Sequence, residues 1–188
     1  MHQAICASVA AGVNYVVSAG NEATDFQNTI PAAYDEVLTA TAMADFDGQP
    51  GGLTPPTPSN VCALVLNNES PSNYADDRAA HFSNFAALPA DQVHSIAAPG
   101  VCVTSTYPGG LYASGVGTSF ASPAVAGTVA LCIASGPCAG LTPAQVVQKM
   151  VADAQAYNAA NPGYGFTGDP IRPVTGKYYA YLIHAGSY

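Results

Sequence analysis

The chain has 188 residues, 49% of them hydrophobic and 9% charged, which is enough apolar material for the core of one domain. Twelve acidic side chains against four scattered basic ones, Arg78, Lys149, Arg172 and Lys177, leave a net charge of −8, which argues against nucleic acid or an anionic membrane as partner. No hydrophobic run reaches the ~18 residues of a membrane span, and Met1-His2-Gln3 lacks the basic start of a signal peptide.

In chain order, a helix is predicted around Ile5, followed by Tyr15-Val16-Val17-Ser18-Ala19-Gly20-Asn21-Glu22. Val16-Val17 reads as a buried parallel strand and Gly20 as its exit turn. The Asn21 amide is thereby placed at the carboxyl end of the sheet, where open α/β folds put their ligands. The plainer reading of Asn21 is a turn residue satisfying local backbone groups. A second strand is predicted over Val37-Leu38-Thr39-Ala40-Thr41-Ala42, after Ile30-Pro31-Ala32. Residues from about 47 to 75 are rich in Pro, Gly, Ser and Asn and read as an irregular surface insertion. Asp45 with Asp47, or Asp76 with Asp77, are candidates for structural calcium, weighed against ordinary solvated turns. Asn68-Glu69-Ser70 is a formal glycosylation sequon. The third strand is predicted near Ile96, in Ile96-Ala97-Ala98-Pro99-Gly100.

Gly117-Thr118-Ser119-Phe120-Ala121-Ser122-Pro123 sets a serine between a glycine turn and an apolar helix that continues to about Ala134 and reads as buried. The first N–H groups of a helix have no internal partners and add positive dipole potential, so negative charge developing beside Ser119 would be stabilised there. An ordinary helix cap is the bland alternative. Thr142 as N-cap with Pro143 at the first helical position starts another helix, around Val146. Tyr178 to Ile183 is predicted as a short returning strand, in an aromatic tail that packs on the core or grips a ligand.

Cys6, Cys62, Cys102, Cys132 and Cys138 fit an exported protein with two disulfides and one thiol left over; five reduced thiols are the competing reading. Cys132 with Cys138 would staple the end of the serine helix, leaving Cys62 for Cys102. No Cys-x-x-Cys pair suggests a cysteine metal site.

Gly117-Thr118-Ser119-Phe120-Ala121-Ser122-Pro123-Ala124-Val125-Ala126-Gly127 resembles the serine motif of the subtilisin-like serine proteases, the subtilases, with Phe120 in place of their usual Met and Ala124 in place of a non-catalytic His. Tyr15 to Glu22 resembles the strand that ends in the family's oxyanion-hole asparagine, and Phe82-Ser83-Asn84 and Ala98-Pro99-Gly100 match further family segments in the same order. The resemblance implies Ser119 as nucleophile, Asn21 as oxyanion donor, and Ser18, Ala19 and Gly20 as liners of the pocket for the side chain before the scissile bond. It implies a secreted endopeptidase acting on polypeptides, without a cofactor other than structural calcium. The expected fold is α/β, a mainly parallel sheet with flanking helices.

The family's Asp-Thr/Ser-Gly and His-Gly-Thr-His segments have no counterpart in the sequence, and in subtilisin the triad runs Asp, His, Ser along the chain. His2, His81, His94 and His184 lie in no matching context. The whole of residues 1–188 is therefore read as the carboxyl-terminal part of a protease domain whose amino-terminal half is a partner. Taken alone, such a chain is expected to be nearly inactive and marginally stable, with an apolar edge and face left uncovered. The alternative is a non-catalytic secreted relative that binds peptides or a partner in a remnant cleft.

Overall fold

Parallel pairing organises the chain. In the computed structural model, which describes residues 1–51, 74–186 and 188, β1 (Val16–Ser18) pairs in parallel with β2 (Leu38–Ala44), and β2 in turn with β4 (Ser95–Pro99). A two-residue β3 (Arg78–Ala79) pairs antiparallel with the end of β2. All seven residues of β2 are buried, as expected of a strand with neighbours on both edges and helices over its face. The predicted strands near Val16, Val37 and Ile96 are thus the three parallel strands of the sheet.

The helices are α1 (His2–Ala10), a single turn α2 (Pro89–Gln92), α3 (Thr118–Ser135) and α4 (Pro143–Ala160). α4 begins as its sequence dictates. Thr142 Oγ1 accepts from the Gln145 backbone N–H and the Gln145 side chain accepts from the Thr142 N–H, a reciprocal capping box with Pro143 at the first helical position. α3 lies across β1, β2 and β4 and buries Ala121, Val125, Val129 and Cys132 against them. A left-handed Gly136 closes it, and the Cys132–Cys138 disulfide ties its last turn to the next loop, as the six-residue spacing predicts. Cys102 is also disulfide-bonded. Its predicted partner Cys62 lies outside the described residues, as do the sequon and most of the irregular stretch at 47–75.

Two expectations need correction, and one element had not been expected. α3 is not buried all round: Ala124, Ala126, Ala130, Leu131 and Ile133 are exposed, Leu131 by 48% and Ile133 by 39%. Small residues make both faces of this helix apolar, so composition cannot tell which face meets the sheet. For the same reason α3, at 18 residues and mean hydropathy 1.4, is long and apolar enough to cross a membrane, although no unbroken apolar run suggested it; its inner face packs on the sheet instead.

The tail from Tyr178 to Ile183 is likewise no continuous strand. Tyr178 bridges Ala86 and Leu182 bridges Ala97, but Ala180 between them has φ +68°, a left-handed residue that breaks the extended run. Finally, residues 103–115 form an antiparallel hairpin, β5 (Val103–Tyr107) with β6 (Leu111–Gly115), turning at Pro108-Gly109-Gly110 and unanticipated in the sequence reading.

Candidate active site

β1 ends at Ser18, and the chain leaves it through Ala19 and Gly20. Ala19 is fully buried beside Phe26, Ala32 and Ala86, so its side chain belongs to the core, while Ser18 and Gly20 are half-buried. Gly20 has φ +104°, and a Cβ there would collide with the Asn84 amide and stand 2.7 Å from the Glu22 carboxylate, so backbone and space both require glycine.

Asn84 is the hub of this turn. Fully buried, it accepts from the Glu22 and Thr24 backbone N–H groups at 3.0 Å each and donates to the Ala19 carbonyl at 3.0 Å and the Glu22 carboxylate at 2.8 Å. Glu22 in turn accepts from the Asn21 N–H at 2.9 Å. The sequence reading noted Phe82-Ser83-Asn84 as a family segment but assigned Asn84 no role. A buried carboxamide that satisfies a turn 62 residues away becomes visible when the chain is folded.

The turn delivers Asn21 to the start of α3. Gly117, at φ +145°, has no side chain with which to cap that helix. The Asn21 carboxamide oxygen caps it from across the sheet instead, accepting from the Thr118 N–H at 2.9 Å and the Thr118 hydroxyl at 3.0 Å; that hydroxyl accepts from the Gly20 N–H at 3.1 Å. Because the Thr118 N–H can only donate, the amide atom facing it must be oxygen, which turns Nδ2 the other way. A Cβ placed on Gly117 would stand 3.5 Å from Asn21 Nδ2, 3.7 Å from Asn21 Oδ1, which Thr118 already occupies, and 3.8 Å from the Ser119 backbone nitrogen. The Asn21 amide and the Ser119 backbone nitrogen therefore lie near the same point, with Ser119 exposed beside it. Such a place suits an oxygen that gains negative charge during a reaction.

Further contacts hold the helix start in place. The Gly117 N–H donates to the Gly100 carbonyl at 2.8 Å, and Ser122 Oγ donates to the Val16 carbonyl at 3.2 Å. The Phe120 ring lies across Gly115 at the base of the hairpin, where any side chain would collide with it. A larger residue than the family's usual Met fits because position 115 has none.

The four histidines are engaged elsewhere. His94 is buried at the amino end of β4, with Nδ1 3.1 Å from the Val37 carbonyl, whereas Asn21 and Ser119 lie beyond the carboxyl ends of the parallel strands. His2 pairs with Glu36, His81 meets Tyr74 and Phe82 edge-on, and His184 stacks on Tyr157 at 3.5 Å. Asp45 and Asp47, the first predicted calcium pair, and Asp76 from the second bring carboxylate oxygens within 4.8 Å of one another. Their oxygens already accept backbone hydrogen bonds, Asp45 from Gly48 N–H at 2.7 Å within its own turn and Asp76 from the distant Phe46 N–H at 2.7 Å.

The model for the family described as Subtilase family matches residues 1–167 of this chain. The chain belongs to the subtilase family. Among curated subtilases it is 32% identical over 166 residues to Subtilisin-like protease 7 of Arthroderma otae, covering 88% of this chain and 32% of that protein. It is 30% identical over 161 residues to the subtilisin-like serine protease pepC of Aspergillus niger, covering 81% of this chain and 24% of that protein. The self-cleaved protease domain of PatA superposes with a TM-score of 0.54 at 25% identity, over 81% of this chain and 46% of that one. A cold-adapted subtilisin-like serine proteinase superposes with a TM-score of 0.55 at 24% identity, over 96% and 49%. The chain thus spans about a third of the length of the first of these curated relatives and has a partial subtilisin fold.

Proposed function

We propose that this chain is the nucleophile-bearing part of a serine endopeptidase of subtilase type. Ser119 Oγ attacks the peptide carbonyl and forms an acyl-enzyme, the oxyanion is held by Asn21 Nδ2 and the Ser119 N–H, and the amine leaves with the proton taken from Oγ. Water then releases the acid. The observation that carries the reading is the cap that Asn21 places on Thr118, which sets the Asn21 amide and the Ser119 backbone nitrogen near one point at Gly117. Ser18, Ala19 and Gly20 line the pocket for the preceding side chain of a polypeptide substrate, Ala19 through its backbone.

The base that takes the Ser119 proton, and the carboxylate that orients that base, come in this proposal from a preceding segment of a longer protein. The exposed apolar side of α3, with Leu131 and Ile133, and the outer edge of β1 are where that segment packs. Secretion agrees with the Cys132–Cys138 disulfide, which persists in oxidising compartments.

The test compares the 188-residue chain with the product of the reading frame extended upstream of Met1. Expected are stoichiometric labelling of Ser119 by a serine-directed fluorophosphonate and peptide hydrolysis in the extended protein, both lost in Ser119→Ala, with near-silence in the short chain. An extended protein that folds, binds peptide and leaves Ser119 unlabelled would instead be the non-catalytic relative.

A further inference from the structure

Away from Ser119, α1 and the loop entering β2 bring together three side chains of different metal-binding chemistry. His2 and Cys6, one helical turn apart, both face Glu36. His2 Nε2 lies 2.9 Å from Glu36 Oε2, and Cys6 Sγ donates to Glu36 Oε1 at 3.3 Å. One donor atom from each of the three falls within 4.8 Å of the others. The imidazole does not swing freely, since it stacks on Tyr34 with ring centroids 4.0 Å apart and planes 15° apart.

We propose that His2, Cys6 and Glu36 form a binding site for a borderline-soft divalent cation, with Zn²⁺ as the ion it fits. In a tetrahedral zinc site, ligand distances of about 2.0–2.3 Å put neighbouring donors about 3.3–3.7 Å apart; the contacts of His2 and Cys6 with Glu36, at 2.9 and 3.3 Å, already match that closely, and every pair lies within 4.8 Å. One thiolate with one imidazole disfavours the oxygen-seeking cations Ca²⁺ and Mg²⁺. Solvent reaches the site, His2 being 50% and Glu36 33% exposed, so water can complete the coordination. The site also gives Cys6 a use: among the described residues it is the free cysteine, Cys132, Cys138 and Cys102 being disulfide-bonded. On binding, the Cys6 proton passes to the buffer and α1 becomes tied to the loop ahead of β2.

The decisive experiment titrates chelator-treated 188-residue chain with Co²⁺ as a coloured substitute and then with Zn²⁺. Expected are one equivalent of Co²⁺ with a thiolate-to-metal charge-transfer band, displacement by Zn²⁺, and release of about one proton per ion. Cys6→Ser should abolish the band, and His2→Gln and Glu36→Gln should each weaken binding by roughly tenfold or more, while Asp45→Asn changes nothing. A chain that is folded by circular dichroism and gives no band, or a band that survives Cys6→Ser, overturns the site. Should Cys6→Ser not fold, His2→Gln decides, because that ring is half in solvent.

Discussion

A single buried side chain, Asn84, sets the position of the oxyanion candidate. It holds two backbone N–H groups of the Gly20–Thr24 turn and the Ala19 carbonyl, so its loss orphans several polar groups at once. Asn84→Ala is expected to cost on the order of 3 kcal/mol in denaturant unfolding, with an unchanged m-value. Asn84→Asp should be nearly as harmful, because the Ala19 carbonyl would lose its donor and the Glu22 carboxylate would face a like charge. Asn21→Ala belongs to a different class. It removes a helix cap worth about 1 kcal/mol. In the extended protein it should also lower kcat by about 10²–10³, a magnitude measured on subtilisin itself and borrowed here. A variant whose kcat is unchanged would remove Asn21 from the proposed oxyanion site. Asn21 and Ser119 were legible because each sits inside a long motif. Asn84 was not, because nothing local about an asparagine reveals which distant turn it satisfies.

Among the elements, α4 is the one whose sequence most completely specifies its start. Thr142→Ala removes the hydroxyl that accepts from the Gln145 N–H, leaving the Thr142 N–H to Gln145 half of the capping box, and should destabilise the chain by about 1 kcal/mol, read as a lower denaturation midpoint. A loss below a few tenths would mean that packing of Val146 and Met150, and not the cap, places the helix. α3 shows the opposite case. Its start follows from Gly117 and Thr118, but the choice of buried face does not follow from a run of Ala, Val and Gly. It follows from which residues meet β1, β2 and β4. The β5–β6 hairpin is hard to see in the sequence because hydroxyl residues interrupt its apolar positions and most of it is exposed, so the periodicity that marks a half-buried strand is weak.

For the molecule as a whole, the carboxyl-terminal tail couples folding to alkaline pH. Burial pushes Tyr164 and Tyr178 up to about 12, with smaller contributions from Tyr157 and Asp45 on Tyr164 and from Tyr181 on Tyr178. Both values lie above the ordinary phenol value near 10. These tyrosines therefore stabilise the fold fully below about pH 10, and the contribution is lost as pH rises towards 12. Phenolate absorbance should lag in the native chain and appear together with unfolding in that window. Tyr164→Phe should reduce the lag while also losing the hydrogen bond to the Ile183 carbonyl. If native phenolate forms near pH 10 without unfolding, the tail does not bury these rings in solution.

What the sequence by itself determined is the set of features whose cause lies within a few residues: the parallel apolar strands, the α4 cap, the option of a Cys132–Cys138 staple, and Ser119 two residues after Gly117 with its resemblance to the subtilases. Tertiary structure decided what depends on neighbours distant in the chain: that Asn21 caps α3 through Thr118, that Asn84 holds the turn beneath it, that α3 buries one apolar face and leaves the other bare, and that His2 and Cys6 meet Glu36. The physical reason is range. Capping, turn conformation and loop closure act between near residues and leave a local pattern, whereas a buried amide or a helix face is assigned by whichever surface completes its hydrogen bonds or excludes its water.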